Sequence, residues 1–226
     1  MKNKYTLKIK NKVKNKAEIE MYGDISRYDI SAKSVQDFLK SEIDEKTTEI
    51  DLRLFSGGGD VFEGIAIYNI LKRLDAKITV YVDGLAASIA SVIMMAGDDI
   101  IMGEGSQVMI HKPWTVAMGS STDLQETIDR LDRVENEILK IYENKTGLSR
   151  SELESMVAAE TWFNDDEAVE FNFANSKAEN SAQFNIAASV KDCEWIKKKE
   201  LAKTNTEFKN KLEESIKKFN DVLARN

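Results

Sequence analysis

The sequence predicts an α/β fold with a largely parallel sheet, and three observations support this prediction. Strand-like and helix-like segments alternate at short spacing between residues 17 and 111. A glycine run, "SGGGD" (residues 56–60), joins one predicted strand directly to a helix. A long amphipathic helix follows the last of the short strands. With 226 residues, the chain is long enough for one main core and an additional tail.

The first half of the chain is predicted to contain strand–helix units. Residues 17–25, "AEIEMYGDI", alternate as a strand does, and "SAKSVQDFLKSEI" has a helical period behind an N-cap serine, Ser31. "TEIDLRLF" predicts the second strand, and "VFEGIAIYNILKRL" predicts the helix after the glycines. "KITVYVD" predicts the third strand, followed by a turn at Gly84 and a buried helix that begins near Ala86 and is stopped by Gly97. Two short strands, "DIIM" and "QVMIH", follow.

The second half of the chain is predicted to be mainly helical. Thr122 and Gln125 have the spacing of a capping box at the start of the long helix, which Gly147 ends. A second capping box begins the helix "SELESMVAAE", and "DDEAVEF" is a further short helix. Beyond residue 176 the chain is polar and lysine-rich, with a helical apolar stripe at 207–223. We expect a basic arm at 1–16, one α/β domain at 17–178 and a partly helical tail at 179–226.

Composition restricts the class of protein. The net charge of −7 argues against a nucleic-acid-binding protein, and no apolar run has the length of a membrane span. The seven lysines in residues 1–16 are not followed by the apolar segment of a secretory signal. One cysteine excludes an intramolecular disulfide, and one cysteine with one histidine argues against a zinc site. These features predict a cytoplasmic protein that uses no metal.

Two serines, Ser88 and Ser91, lie in the apolar segment "DGLAASIASVIMMAGD". A buried hydroxyl without a partner costs about 1–3 kcal/mol, so each serine is expected either to form a hydrogen bond or to react. Ser91 is expected to bond a backbone carbonyl of its own helix. Ser88, near the helix start, has the N–H of Ile89 beside it, where an oxyanion could be stabilised. The only histidine, His111, ends a strand at the sheet edge where parallel strands present their loops.

A serine, a histidine and free N–H groups at one sheet edge indicate a nucleophilic hydrolase. If His111 is the base, activity should rise with pH through an apparent pKa of about 6.5 to 7. In this chain the order would be serine, histidine and then an acid, whereas α/β-hydrolases have the order serine, acid, histidine. This difference, and the absence of a GxSxG motif around Ser88, exclude the common α/β-hydrolase fold.

Four segments, "SGGGDVFEGIAIYNIL", "VDGLAASIASVIMMAGD", "VMIHKPW" and "ETWFNDDEAVEF", together resemble the ClpP-like serine proteases, and most of all the phage head maturation (prohead) proteases. The resemblance runs in matching order from about residue 18 to 175. It implies the ClpP/crotonase-like fold, with stacked ββα units and a long handle helix at 121–147. The site residues that it implies are Ser88 as nucleophile, His111 as general base, Glu160 as the third member, and Gly58 and Ile89 as the two oxyanion donors.

Two positions depart from the family pattern. Gly57 stands where the family usually has proline, which loosens the glycine loop. Glu160 stands where the peptidases usually have aspartate, so Asp165 and Asp166 remain alternatives for the third member of the triad.

The resemblance implies a serine endopeptidase that needs no cofactor and assembles into a homo-oligomeric ring. In a phage setting it implies capsid or scaffold proteins as substrates, in the host cytoplasm or the procapsid. Three alternatives remain open. The chain could be a peptidase subunit supplied by an ATP-driven AAA+ unfoldase, or a catalytically silent ring protein that serves assembly. It could also be a crotonase-like acyl-CoA site that uses the glycine-loop N–H groups without Ser88.

Overall fold

The computed structural model describes residues 6–178, and these contain an eight-stranded sheet. The strands are β1 (Thr6–Val13), β2 (Lys16–Tyr22), β3 (Glu49–Ser56), β4 (Lys77–Ala87), β5 (Asp99–Met102), β6 (Gln107–Ile110), β7 (Thr161–Phe163) and β8 (Ser176–Lys177). The main sheet has the order β1-β2-β3-β4-β5-β8, and β6 pairs with both β4 and β7. The β1–β2 and β6–β7 pairs are antiparallel, whereas the other pairs are parallel. The predicted mixed α/β fold is therefore confirmed.

Six helices accompany this sheet in the described part of the chain. They are α1 (Ala32–Glu42), α2 (Val61–Lys72), α3 (Ile89–Met94), α4 (Ser121–Thr146), α5 (Arg150–Ala158) and α6 (Asp165–Glu170). Helix α4 is the long helix that the sequence predicts, and Gly147 ends it in the left-handed conformation. The predicted N-cap at Ser31 is present, as part of a capping box with Ser34, and the predicted capping box of Ser149 with Glu152 is also present. None of the helices described is both long and apolar enough to cross a membrane.

The core lies on one face of the sheet, because buried residues alternate along the central strands. In β3 each second residue is buried, beginning with Ile50, and in β4 the same alternation begins with Ile78. The opposite face carries polar groups that pair with one another, including Arg53 and Asp83, whose Nε and Oδ2 atoms are 2.9 Å apart. All six residues of helix α3 are buried, so the segment after β4 lies within the core.

The structure corrects three local predictions. Gly84 is part of β4 and not a turn, because the strand continues to Ala87 by pairing residues 85–87 with β6. Helix α3 therefore begins at Ile89 rather than near Ala86, and its last helical residue, Met94, lies three residues before the predicted stop at Gly97. Helix α4 is capped by Ser120 with Asp123, two residues earlier than the Thr122–Gln125 pair. In that box the Ser120 hydroxyl accepts from the N–H of Asp123.

Residues 6–13, within the expected basic arm, form strand β1, which the sequence pattern did not predict. The lysines that mark the arm alternate with other residues along this strand. Lys8 and Lys10 lie 2.9 and 2.8 Å from the carboxylate of Glu20 on β2, which is only 7% exposed. The positive charges of Lys8 and Lys10 therefore form ion pairs within the sheet. The helical stripe that the sequence predicts at 207–223 lies outside the described residues.

Candidate active site

Ser88 lies at the junction of β4 and α3 in a backbone conformation that residues other than glycine rarely adopt. Its φ is 55° and its ψ is −128°. The backbone N–H of Ser88 donates to the carbonyl of Met109 on β6 at 2.8 Å, which fixes the junction against the neighbouring strand. The Ser88 side chain occupies the N-cap position but makes no capping hydrogen bond. Strained backbone of this kind is concentrated at functional sites, and here it presents a hydroxyl outward from the helix start.

The Ser88 hydroxyl contacts His111. The Oγ of Ser88 and the Nε2 of His111 are 2.7 Å apart, which is hydrogen-bonding distance for a nucleophile and its base. The pairing of β6 with the end of β4 brings the two residues together, because His111 directly follows the last residue of β6. The sequence predicts both residues at one sheet edge, and the structure places them in direct contact.

Glu160 interacts electrostatically with His111. Burial lowers the pKa of His111 below its usual value, and the charge of Glu160 raises it in partial compensation. Strand pairing explains the proximity: Ile110 is opposite Thr161 in the β6–β7 pair, so the residues that flank them are neighbours. The indole Nε1 of Trp162 donates to Oε1 of Glu160 at 3.3 Å.

The two alternative acids lie in a different environment. Asp165 and Asp166 are in the first turn of α6, where their carboxylates lie 3.8 and 2.5 Å from Nζ of Lys177. Neither contributes to the shifted pKa of His111. Within residues 6–178, the geometry thus associates Glu160, and not these aspartates, with the histidine.

The glycine loop packs directly against the nucleophile. Gly58 has a φ of 92°, and a Cβ on it would lie 2.7 Å from both the carbonyl oxygen of Ala87 and the Cβ of Ser88. It would also lie 3.2 Å from the backbone nitrogen of Ile89. The loop is held by Ile25, whose N–H donates to the carbonyl of Gly58 at 2.8 Å. Only a residue without a side chain permits this approach.

The two predicted oxyanion donors have different surroundings. Ile89 is the first residue of α3, so its N–H has no acceptor within the helix. The N–H of Gly58, in contrast, donates to Oγ of the buried Ser56 at 3.1 Å. The neighbouring N–H of Gly59 has no hydrogen-bond acceptor within residues 6–178. Sequence reasoning missed Ser56 and Gly59, although a serine directly before three glycines was a visible signal.

A cleft of about 420 Å³ opens beside this loop. Its mostly apolar lining comes from three segments: residues 59–62, residues 113–117 after the histidine, and one side of α4. Phe62 and Trp114 are 63% and 62% exposed there, and Arg130 adds a positive charge. The lining includes Gly59, which follows the loop residue that packs against Ser88, and Pro113, two residues after His111. Over the described residues, no group of three or more histidine, cysteine, aspartate or glutamate side chains could hold a metal ion.

Comparison with known proteins identifies a family. Residues 1–180 match the family described as Clp protease. The chain is similar to the ATP-dependent Clp protease proteolytic subunit 2 of Treponema denticola, with 27% identity over 168 residues that cover 74% of this chain and 84% of the relative. It is also similar to the ATP-dependent Clp protease proteolytic subunit 1 of Protochlamydia amoebophila, with 32% identity over 120 residues that cover 51% of this chain and 58% of the relative. Neither name refers to phage head maturation.

Proposed function

Because the chain belongs to the Clp protease family, we propose that it is a serine endopeptidase in which Ser88 is the nucleophile and His111 the general base. The observation that carries this proposal is the 2.7 Å contact between Ser88 Oγ and His111 Nε2. The chain has no second histidine that could take the role of His111. The cleft beside the glycine loop supports a peptide as substrate, because its apolar lining suits amino-acid side chains.

The mechanism follows from the positions of these groups. His111 Nε2 accepts the hydroxyl proton as Ser88 Oγ bonds to the carbonyl carbon of the peptide, and the carbonyl oxygen becomes an oxyanion. The C–N bond then breaks, and the proton passes from His111 to the leaving amine. Water then attacks the carbonyl carbon of the acyl-enzyme while His111 takes a proton from it. The ester bond to Ser88 Oγ breaks, His111 returns the proton to that oxygen, and the acid product leaves. No metal or organic cofactor takes part, and the Glu160 carboxylate stabilises the imidazolium that forms in each step.

The oxyanion requires N–H donors, for which we propose Ile89 and the glycine loop. Gly58 is the loop donor implied by the family resemblance, and its N–H would have to leave Ser56 Oγ to serve. Gly59 offers an N–H that needs no such exchange, so the loop contains two candidates one residue apart. In either case the oxyanion lies between the loop and the start of α3, where a Cβ on Gly58 would intrude.

Oligomerisation is supported by exposed apolar side chains around the start of α4. Val116 and Met118, in the loop before this helix, are 84% and 94% exposed, and Leu124 and Ile128 on the helix are 40% and 50% exposed. A cluster of large apolar side chains in water marks an interaction surface. We propose that α4 is the handle of a homo-oligomeric ring. The ring is formed by a peptidase domain that includes strand β1 of the basic arm together with residues 17–178, and the lysine-rich tail at 179–226 is its extension.

We propose two alternative ways in which the peptidase could obtain its substrate. The sequence resemblance to head maturation proteases supports the processing of phage capsid or scaffold proteins in the host cytoplasm or a procapsid. The names of the curated relatives instead support a subunit that works with an ATP-dependent unfoldase. A processing protease cuts an accessible folded precursor at few sites, whereas an unfoldase-fed subunit degrades a protein only when the ATPase delivers it.

Intact-mass spectrometry distinguishes these proposals. The full chain is incubated with a purified phage capsid–scaffold precursor, and separately with a stable folded protein bearing a degradation tag, each with and without a Clp ATPase and ATP. Ser88→Ala is the matched control. Discrete precursor fragments without ATPase support head maturation, and degradation of the tagged protein that requires ATP supports the alternative. If wild type and Ser88→Ala give the same intact masses in every mixture, the chain is a catalytically silent assembly protein.

A further inference from the structure

A buried pair of hydroxyls connects α4 to α3 directly behind the nucleophile. Ser91 Oγ and Tyr142 OH are 2.7 Å apart, and the two residues are 0% and 2% exposed. Each hydroxyl satisfies the other in an apolar environment, where an unpaired one would cost about 1–3 kcal/mol. Alanine and phenylalanine would fill the same space without any polar atom. Packing alone therefore does not explain why both residues carry a hydroxyl group.

The second hydrogen bond of Ser91 leads to Ser88. The Ser91 hydroxyl donates to the carbonyl oxygen of Ser88, and the Ser91 N–H donates to the same oxygen at 3.0 Å. Because a serine hydroxyl has one hydrogen, Tyr142 must be the donor in its contact with Ser91. Burial raises the pKa of Tyr142, so its phenol keeps the proton that it donates. The chain of bonds thus runs from Tyr142 through Ser91 to the Ser88 carbonyl.

That carbonyl belongs to the same planar peptide group as the N–H of Ile89. In a trans peptide the C=O and N–H point in opposite directions, so a fixed carbonyl also fixes the direction of the N–H. Ser88 itself has a positive φ, a conformation that requires support from its surroundings. We propose that Ser91 and Tyr142 are positioning residues that hold the Ser88–Ile89 peptide group and thereby aim the Ile89 N–H at the oxyanion. This inference rests on the proposed peptidase function.

Aromatic packing keeps the Tyr142 hydroxyl in place. The ring of Tyr142 meets the ring of Phe173 edge to face, with centroids 5.6 Å apart. Phe173 in turn stacks on Phe163 of β7 at 4.8 Å. Strand β7 begins directly after Glu160, so one aromatic cluster supports both the hydroxyl pair and the segment that carries the acid. Displacement of Tyr142 would therefore disturb both the hydrogen bond to Ser91 and the segment that carries Glu160.

The test measures how fast a fluorophosphonate labels Ser88 in the full chain. Ser88 Oγ bonds to phosphorus, the P–F bond breaks, fluoride leaves and His111 takes the hydroxyl proton, while the phosphoryl oxygen occupies the oxyanion position. Removing an oxyanion donor outright typically costs about 10²- to 10³-fold in rate, so a donor that is present but loosely held should cost less. We expect the maximal labelling rate to fall about 5- to 50-fold in Ser91→Ala, and by a smaller factor in Tyr142→Phe.

Two further readouts separate positioning from simple destabilisation. The probe concentration that gives half-maximal rate should not change, because probe binding does not involve the hydroxyl pair. The pH midpoint of labelling should not change either, because the contact between Ser88 and His111 is untouched. Ser106→Ala is the matched control. Ser106 is also buried and also donates to a carbonyl three residues earlier, that of Gly103, in the turn between β5 and β6.

Ser106→Ala should label at the wild-type rate. If Ser91→Ala and Tyr142→Phe label as fast as Ser106→Ala, the inference is wrong. Thermal melting of each variant accompanies the assay, and Tyr142→Phe preserves the shape of the core if Ser91→Ala does not fold. A wild-type chain that folds but leaves Ser88 unlabelled overturns the proposed function together with this inference, whereas a labelled wild type with unaffected variants overturns this inference alone.

Discussion

Replacing Gly58 by alanine should both destabilise the chain and close the site. Alanine at a φ of 92° costs about 1–2 kcal/mol, by analogy with other left-handed conformations. The new Cβ would also lie 2.7 Å from the Ala87 carbonyl oxygen and from the Ser88 Cβ, and overpacking of this kind typically costs about 1–3 kcal/mol. The free energy of unfolding should therefore fall by about 2–5 kcal/mol. Labelling of Ser88 by a fluorophosphonate should be nearly abolished, because the methyl group fills the space beside the Ile89 nitrogen.

Gly105→Ala is the control for the backbone contribution. Gly105 also has a positive φ, of 70°, but a Cβ on it would meet no atom within 4 Å. This variant should lose only about 1–2 kcal/mol of stability and should label at the wild-type rate. Urea unfolding measures the two stabilities, and intact-mass spectrometry follows the labelling. If Gly58→Ala and Gly105→Ala label equally fast, the glycine loop does not approach the nucleophile in the way described above.

Three further predictions concern the base, the acid and the oxyanion donor. Burial lowers the pKa of His111, and the base must be neutral, so activity should rise with pH to half its maximum below pH 6.5, not at 6.5 to 7 as the sequence alone predicts. A midpoint of the labelling rate at pH 6.5 or higher would contradict this prediction. Glu160→Gln should lower the maximal rate by about 10²- to 10⁴-fold and shift the pH midpoint to lower pH, because the charge that raises the His111 pKa is gone. Glu160→Asp should keep substantial activity, and Asp165→Asn should change neither the rate nor the midpoint. A large loss of activity in Asp165→Asn alone would assign the role of the acid to Asp165 instead. Gly64→Ala should slow the labelling of Ser88 without changing the glycine loop, because the new Cβ would overlap the side chain of Ile89. If this variant is labelled at the wild-type rate, Ile89 can move without loss of function.

Much of the fold could be predicted from local patterns, because the central strands and helices have clear periods of their own. Alternation in β3 and the glycine at the end of α4 are signals carried by neighbouring residues. Strand β1 carries no such signal, since two of its lysines, Lys8 and Lys10, pair with Glu20 on the neighbouring strand β2. The extension of β4 through Gly84 likewise depends on pairing with β6, and no local pattern reports that pairing.

The site shows the same division between local and distant information. The sequence singles out Ser88 because its hydroxyl lies in an apolar segment, and His111 because it is the only histidine and ends a strand at the same sheet edge. The structure brings the two residues into contact. Ser91 was correctly expected to bond a backbone carbonyl, which lies three residues away. Its second partner, Tyr142, could not be inferred, because the two residues are 51 positions apart and the tyrosine fits the apolar stripe of its helix equally well.

The most direct test of the proposed function is to map the site of fluorophosphonate labelling. The wild-type chain, Ser88→Ala and His111→Ala are treated with the probe, digested and sequenced by mass spectrometry, and circular dichroism verifies that each is folded. We predict one adduct per chain, on Ser88, with no adduct in Ser88→Ala and strongly slowed labelling in His111→Ala. A folded wild-type chain that carries no adduct on Ser88, or a Ser88→Ala chain that is labelled to the same extent as wild type, would contradict the assignment of Ser88 as the nucleophile.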